Sequence, residues 1–166
     1  MLPDQNYQQH ALRDCLQINA DLKLTQKALM PTARFDTPVA LVHDQIVIAL
    51  GGKMSKYRGT IRCEAYDTST DQWLTMQALP FFCVNTSAVV MRSRFVYLMP
   101  GSSNEETQAQ GSLMIGYLDT GTIDRGLDTM CKAAWAQLVV KNVDFFNAGP
   151  VAGIPLGQDS MIIFGG

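Results

Sequence analysis

Three short apolar runs that stop at glycine recur along the chain. They are Val47-Ile48-Ala49-Leu50-Gly51-Gly52, Val96-Tyr97-Leu98-Met99-Pro100-Gly101 and Ile162-Ile163-Phe164-Gly165-Gly166. The first two stops lie 49 residues apart and the last two 65 apart. Each run favours a β-strand and ends at a turn residue. A strand signal that returns at a fixed spacing restricts the chain to architectures built from one repeated unit.

A second element follows each stop. Ile61-Arg62-Cys63-Glu64-Ala65-Tyr66-Asp67 alternates as a strand does, turns at Thr68–Asp71 and leads to Trp73. Its counterpart is Met114–Thr120, with Tyr117, Asp119 and, further on, Trp135. The longer hop to Trp135 places an insertion at 121–132 and accounts for most of the stretched second period. Near the start, Cys15–Asn19 aligns with Cys63–Asp67, and Thr25–Pro31 aligns with Thr75–Pro80. Cys15 and Cys63 are then equivalent positions one repeat apart, which argues against a disulfide between them.

Four strands per unit are expected. In the first full unit they fall near Val39–Val42, Ile46–Leu50, Ile61–Tyr66 and Gln72–Thr75. In the second they fall near Thr86–Met91, Phe95–Met99, Gly111–Leu118 and Trp135–Val140. The last unit supplies two, near Val151–Ile154 and Met161–Phe164. Little helix is expected, because no stretch keeps a capped 3.6-residue apolar period; Ala11–Leu29, where leucines could line a helix, reads as two strands by alignment. The units divide the chain into the tail of a preceding blade (1–30), a complete blade (31–80), a divergent blade (81–147) and half of a further blade (148–166).

Four short strands repeated every 40–50 residues are the pattern of β-propeller blades. The chain resembles the Kelch family in Gly51-Gly52, Tyr66-Asp67 and Trp73, then in Gly101, Tyr117, Asp119 and Trp135, then in Gly165-Gly166. Pro100-Gly101 departs from the paired glycines, and Lys23-Leu24 stands where a Trp is expected. The resemblance implies an all-β fold, an incomplete Kelch-type β-propeller of four-stranded antiparallel blades. The motif residues read as structural: the glycines for positive φ, the tryptophans for packing between blades with the indole N–H on a carbonyl, and Asp67 for capping the next turn.

The units sum to about three blades, whereas closed propellers usually have four to eight. Two completions are open. The chain is a fragment of a longer propeller, which the stop in mid-blade favours. Alternatively, the terminal halves complete each other between two chains, giving six blades by twofold symmetry.

In Kelch-like proteins the rim made by second-to-third and fourth-to-first strand loops commonly holds partner peptides. Here that rim comprises Pro31–Thr37, Lys53–Thr60, Phe81–Asn85, Gly101–Gln110 and Lys141–Ala148. The candidate partner-binding residues are Arg34, Lys53, Lys56, Arg58, Glu105 and Glu106, with Arg34 placed to face the central funnel. Pairing between the oppositely charged loops, or solvation, and a rim salt bridge for Arg34, are the plainer readings of the same residues.

Thirteen Lys and Arg against fifteen Asp and Glu give a net charge of −2, which disfavours a nucleic-acid partner. No apolar run approaches a membrane span and the start lacks a signal peptide, so a cytoplasmic site and no membrane partner are expected. The four cysteines form no Cys-x-x-Cys pair, and His10 and His43 stand away from them, so no metal or cofactor is expected. His43-Asp44 reads as a turn, not as part of a Ser–His–acid site. The expected function is a non-enzymatic module binding a peptide or protein. The alternative is a fragment of a propeller-fold enzyme, an oxidase or sugar isomerase, whose catalytic residues lie outside the chain. A cytoskeletal cross-linker is a third possibility. Self-association through the half-blades is also expected.

Overall fold

In the computed structural model, residues 11–99, 112–122, 126–141 and 151–165 are described. They are organised as antiparallel sheets whose strands follow one another in sequence. The complete blade consists of β3 (Val39–Val42), β4 (Ile46–Leu50), β7 (Cys63–Asp67) and β8 (Gln72–Thr75), in the order β3-β4-β7-β8. A small hairpin, β5 (Lys53–Ser55) with β6 (Arg58–Gly59), sits between its second and third strands. The next blade is β9 (Ala88–Met91), β10 (Phe95–Leu98), β11 (Ser112–Asp119) and β12 (Ala136–Lys141). Two two-stranded sheets flank these blades: β1 (Leu16–Ile18) with β2 (Leu24–Gln26), and β13 (Val151–Leu156) with β14 (Ser160–Gly165).

The blades pack face to face through alternating side chains. Ala40, Val42, Ile48 and Leu50 of the first blade meet Val96, Leu98 and Leu118 of the second in one buried cluster. On its other face the second blade places Val89, Met91 and Ile115 against Met161 and Ile163 of β14. The inner strands touch in succession, β3 with β9 and β9 with β13. Gly153 makes the second approach possible: a Cβ there would lie 2.5 Å from Val89 Cγ2.

The turns joining first and second strands also meet from blade to blade. His43 N–H donates to the Ser93 carbonyl at 2.7 Å, and Ser93 Oγ donates to Asp44 at 3.2 Å. Arg92 then forms an ion pair with Asp159 in the turn between β13 and β14. His43, Asp44, Arg92 and Ser93 all have φ between 50° and 54°, so the turn geometry repeats with the blade. The expected turn at His43-Asp44 is present.

Gly51 and Gly52, at φ 57° and 89°, take the chain out of β4. A Cβ on Gly52 would lie 2.2 Å from Thr37 Oγ1 and 2.8 Å from the Phe35 carbonyl. Gly52 N–H donates to the Cys83 carbonyl at 3.0 Å, tying two rim segments together. The insertion at 121–132 contains α1 (Leu127–Cys131), a single short helix. Among the described residues, no helix is long and apolar enough to cross a membrane.

One motif assignment is corrected by the strand register. Val47 pairs with Tyr66, and its counterpart Val96 pairs with Leu118. Leu118, not Tyr117, therefore holds the place of Tyr66. Tyr117 faces the other way and packs with Phe95 and Tyr97, at ring-centre distances of 6.2 and 5.3 Å. The second blade has Tyr-Leu-Asp where the first has Tyr-Asp, and one extra residue in an alternating strand reverses the face.

The tryptophans also differ. Trp73 N–H donates to the Ala28 carbonyl of the preceding blade at 2.8 Å, as expected. The buried indole N–H of Trp135 meets no oxygen acceptor among the described residues; it faces the Cys63 thiol, whose pKa it lowers against the larger upward push of burial. At that junction the link to the preceding blade comes from the insertion, where the Cys131 carbonyl accepts from Gln77 N–H at 3.1 Å.

Candidate rim site

Three of the five rim segments are described in full, and they converge. Phe35 and Lys53 exchange backbone hydrogen bonds at 2.9 and 2.8 Å, joining segment 31–37 to the β5–β6 hairpin. Phe82, in segment 81–85, lies under Gly59, where an added Cβ would meet its ring at 3.2 Å. Between the hairpin and Phe82 opens a cleft of about 440 Å³, lined by Lys53, Lys56, Tyr57, Arg58, Gly59, Phe82 and Val84. Sequence alternation shows only a polar loop at Lys53–Thr60. Here the backbone pairs with itself, so that Lys56 and Tyr57 form the hairpin tip.

The three expected basic residues differ in surroundings. Lys53 Nζ lies 3.3 Å from the Asp36 carboxylate, within the rim itself. Lys56 Nζ lies 5.3 Å from the centre of the Tyr57 ring, a cation–π contact. Arg58 is exposed. Tyr57 is 89% exposed and Phe82 50%, so two aromatic rings face water beside the cations. Neither ring was singled out in the sequence. The available signal was a large aromatic residue inside each of two rim loops, where strand alternation assigns no core position.

Arg34 is placed differently from the funnel-facing position expected of it. Its side chain is fully buried and forms an ion pair with Glu64. Its Nη1 donates to the Gly51 and Arg62 carbonyls at 2.9 and 3.0 Å. Glu64 also accepts from Thr32 Oγ1 at 2.6 Å. Burial lowers the Arg34 pKa, while Glu64 opposes that shift. The guanidinium thus anchors the segment before β3 to the end of β4 and to β7, and presents no donor to the surface. The physical reason is Glu64: a buried carboxylate facing this segment draws the nearest cation inward. Gly101, Glu105, Glu106 and Gly166 lie outside the described residues, as does most of Lys141–Ala148.

The opposite rim carries a fork between Arg94 and Asp119, at 2.6 and 2.7 Å. Nearby, His43 Nε2 meets Thr120 Oγ1 at 2.9 Å. Thr120 Oγ1 donates its own proton to the Arg94 carbonyl, so the imidazole is the donor to Thr120. Burial lowers the His43 pKa, and Arg94 adds to the effect. These bonds hold the turns together and leave the Thr120 hydroxyl without a base. All four cysteines are free thiols. Burial pushes Cys83 up to about 12, so it stays protonated at neutral pH. Among the described residues, no group of three or more His, Cys, Asp or Glu side chains is arranged to hold a metal ion.

Sequentially ordered antiparallel blades, packed face to face with touching inner strands, define an all-β, incomplete propeller. The chain is similar over 87% of its length to a solved structure described as "Structure of YjhT", with a TM-score of 0.57 and 12% sequence identity. It spans about half of that protein, 49% of its length. No family model and no curated protein matches the chain.

Proposed function

We propose that this chain is the binding portion of a Kelch-type propeller that captures a peptide or protein through its loop rim. The observation that carries the reading is the cleft between the β5–β6 hairpin and Phe82. It combines exposed aromatic surface with the cations Lys56 and Arg58. Exposed aromatics and arginine are typical anchors of protein interfaces. The partner that fits is an acidic segment carrying an apolar side chain: the side chain enters against Phe82 while carboxylates meet the cations. The module acts without catalysis and without a cofactor, in the cytoplasm.

A dye-labelled peptide alternating Glu with Leu and Phe tests this by fluorescence anisotropy. The acidic peptide should bind more tightly than its Lys counterpart and weaken with added salt. The double variant Lys56→Glu/Arg58→Glu should lose at least about tenfold in affinity, the scale of 1.4 kcal/mol. Equal binding of both peptides, or an unchanged double variant, overturns the reading.

A further inference from the structure

We infer that the second blade carries a binding site for a small carboxylate with a short apolar body, between Arg94 and the insertion, on the rim opposite the peptide cleft. The two complete blades supply the comparison, because their turns are built alike. Gln45 and Arg94 each stand directly before the second strand of their blade. Thr68 Oγ1 donates to the Gln45 carbonyl at 2.8 Å, and Thr120 Oγ1 donates to the Arg94 carbonyl at 2.7 Å. Ser69 N–H donates to Asp67 at 2.9 Å, and Gly121 N–H donates to Asp119 at 2.8 Å. The Gln45 amide donates to Asp67 at 2.9 Å, in the place where Arg94 donates to Asp119. A neutral amide therefore completes this turn in the first blade. The guanidinium of Arg94 brings a positive charge that the turn does not require.

Beyond this turn the blades diverge. The first reaches β8 within a few residues, whereas the second inserts α1. Insertions on a repeat scaffold are where binding residues concentrate. Here the insertion walls a cavity of about 350 Å³, a volume within the range of small-molecule sites. Arg94, Thr120 and Gly121 form one side, and Met130, Lys132 and Ala133 form the other. Both sides belong to a complete blade and are braced by the first: His43 meets Thr120 at 2.9 Å, and Gln77 N–H donates to the Cys131 carbonyl at 3.1 Å. The site thus depends on neither end of the chain. Nε and Nη2 of Arg94 are committed to Asp119, which fixes the guanidinium plane and leaves Nη1 for a ligand. Asp119 balances Arg94, while Lys132 is exposed with no carboxylate at ion-pair distance among the described residues. The surplus charge is positive, so the ligand's head is an anion. A planar guanidinium matches a planar carboxylate, with the lysine as a second point charge. Met130 and Ala133 give the rest of the ligand an apolar wall.

Two-dimensional amide NMR of the full chain tests this with sodium hexanoate as the probe. Hexanoate should shift the Gly121, Lys132 and Ala133 amide signals saturably. Hexylammonium, the same carbon chain with the opposite charge, should leave them in place. Inorganic phosphate, an anion without an apolar body, should bind at least about tenfold more weakly than hexanoate. Arg94→Gln installs the first blade's own residue and keeps a donor for Asp119, so the turn should survive with an unchanged far-UV spectrum. Arg94→Gln and Lys132→Ala should each lower hexanoate affinity by about tenfold or more. The double variant Lys56→Glu/Arg58→Glu, on the other rim, should bind hexanoate as the native chain does. The inference is overturned if hexanoate gives no saturable shift at these residues, or if hexylammonium shifts them equally. Phosphate binding as tightly as hexanoate, unchanged affinity in either single variant, or loss in the double variant also overturns it.

Discussion

Trp73 joins two blades with one side chain. Its ring lies 5.1 Å from that of Tyr66, and its N–H reaches Ala28 across the junction. Ala28 N–H in turn donates to Asp71 at 2.9 Å, so the same backbone unit is held from both sides. Trp73→Ala should therefore cost about 3 kcal/mol in urea titration, the low end for a large aromatic because the ring is half-buried. A loss under half a kcal/mol would remove Trp73 as the anchor. Asp67 provides a second test. Burial raises its pKa, but hydrogen bonds from Gln45, from the Ser69 hydroxyl and N–H, and from Thr70 outweigh that and hold it at about 2. The folded value lies below the ordinary 3.8. Its stabilising contribution is therefore full above pH ~4 and disappears as pH falls toward 2. Thermal melts between pH 6 and 2 should show a smaller acid-induced drop for Asp67→Asn than for the native chain.

At the scale of elements, the two glycines after β4 do more than permit a turn. Gly52→Ala should destabilise by more than about 2 kcal/mol, since a Cβ collides with backbone as well as adopting an unfavourable φ. Gly157→Ala, also at positive φ (68°) but facing open space, should cost only about 1 kcal/mol. Comparing the two melting curves separates collision from backbone preference. Much of this level was legible in sequence: β3, β4 and β8 have the bounds the sequence predicts for them, the first two from apolar runs and the third from the turn and Trp73. Alternation records which residues face a core, so strands with one buried face write themselves into the sequence. Tyr117 shows the limit, because a one-residue difference between units is invisible until pairing fixes the face. The rim was legible as loops and charges, but not as a site. The β5–β6 hairpin depends on backbone bonds to Phe35, and the burial of Arg34 depends on Glu64, thirty residues away. Neither contact has a local signature.

At the scale of the molecule, the expectation of an all-β, incomplete propeller agrees with the blades and with the similarity to a longer solved chain. The strictly sequential strand order has a further consequence for biosynthesis. Among the described residues each sheet is laid down in chain order, and the only strands emerging between paired neighbours are those of the short β5–β6 hairpin, between β4 and β7. Each blade can therefore form while the next is still being translated, and loop closure stays short throughout.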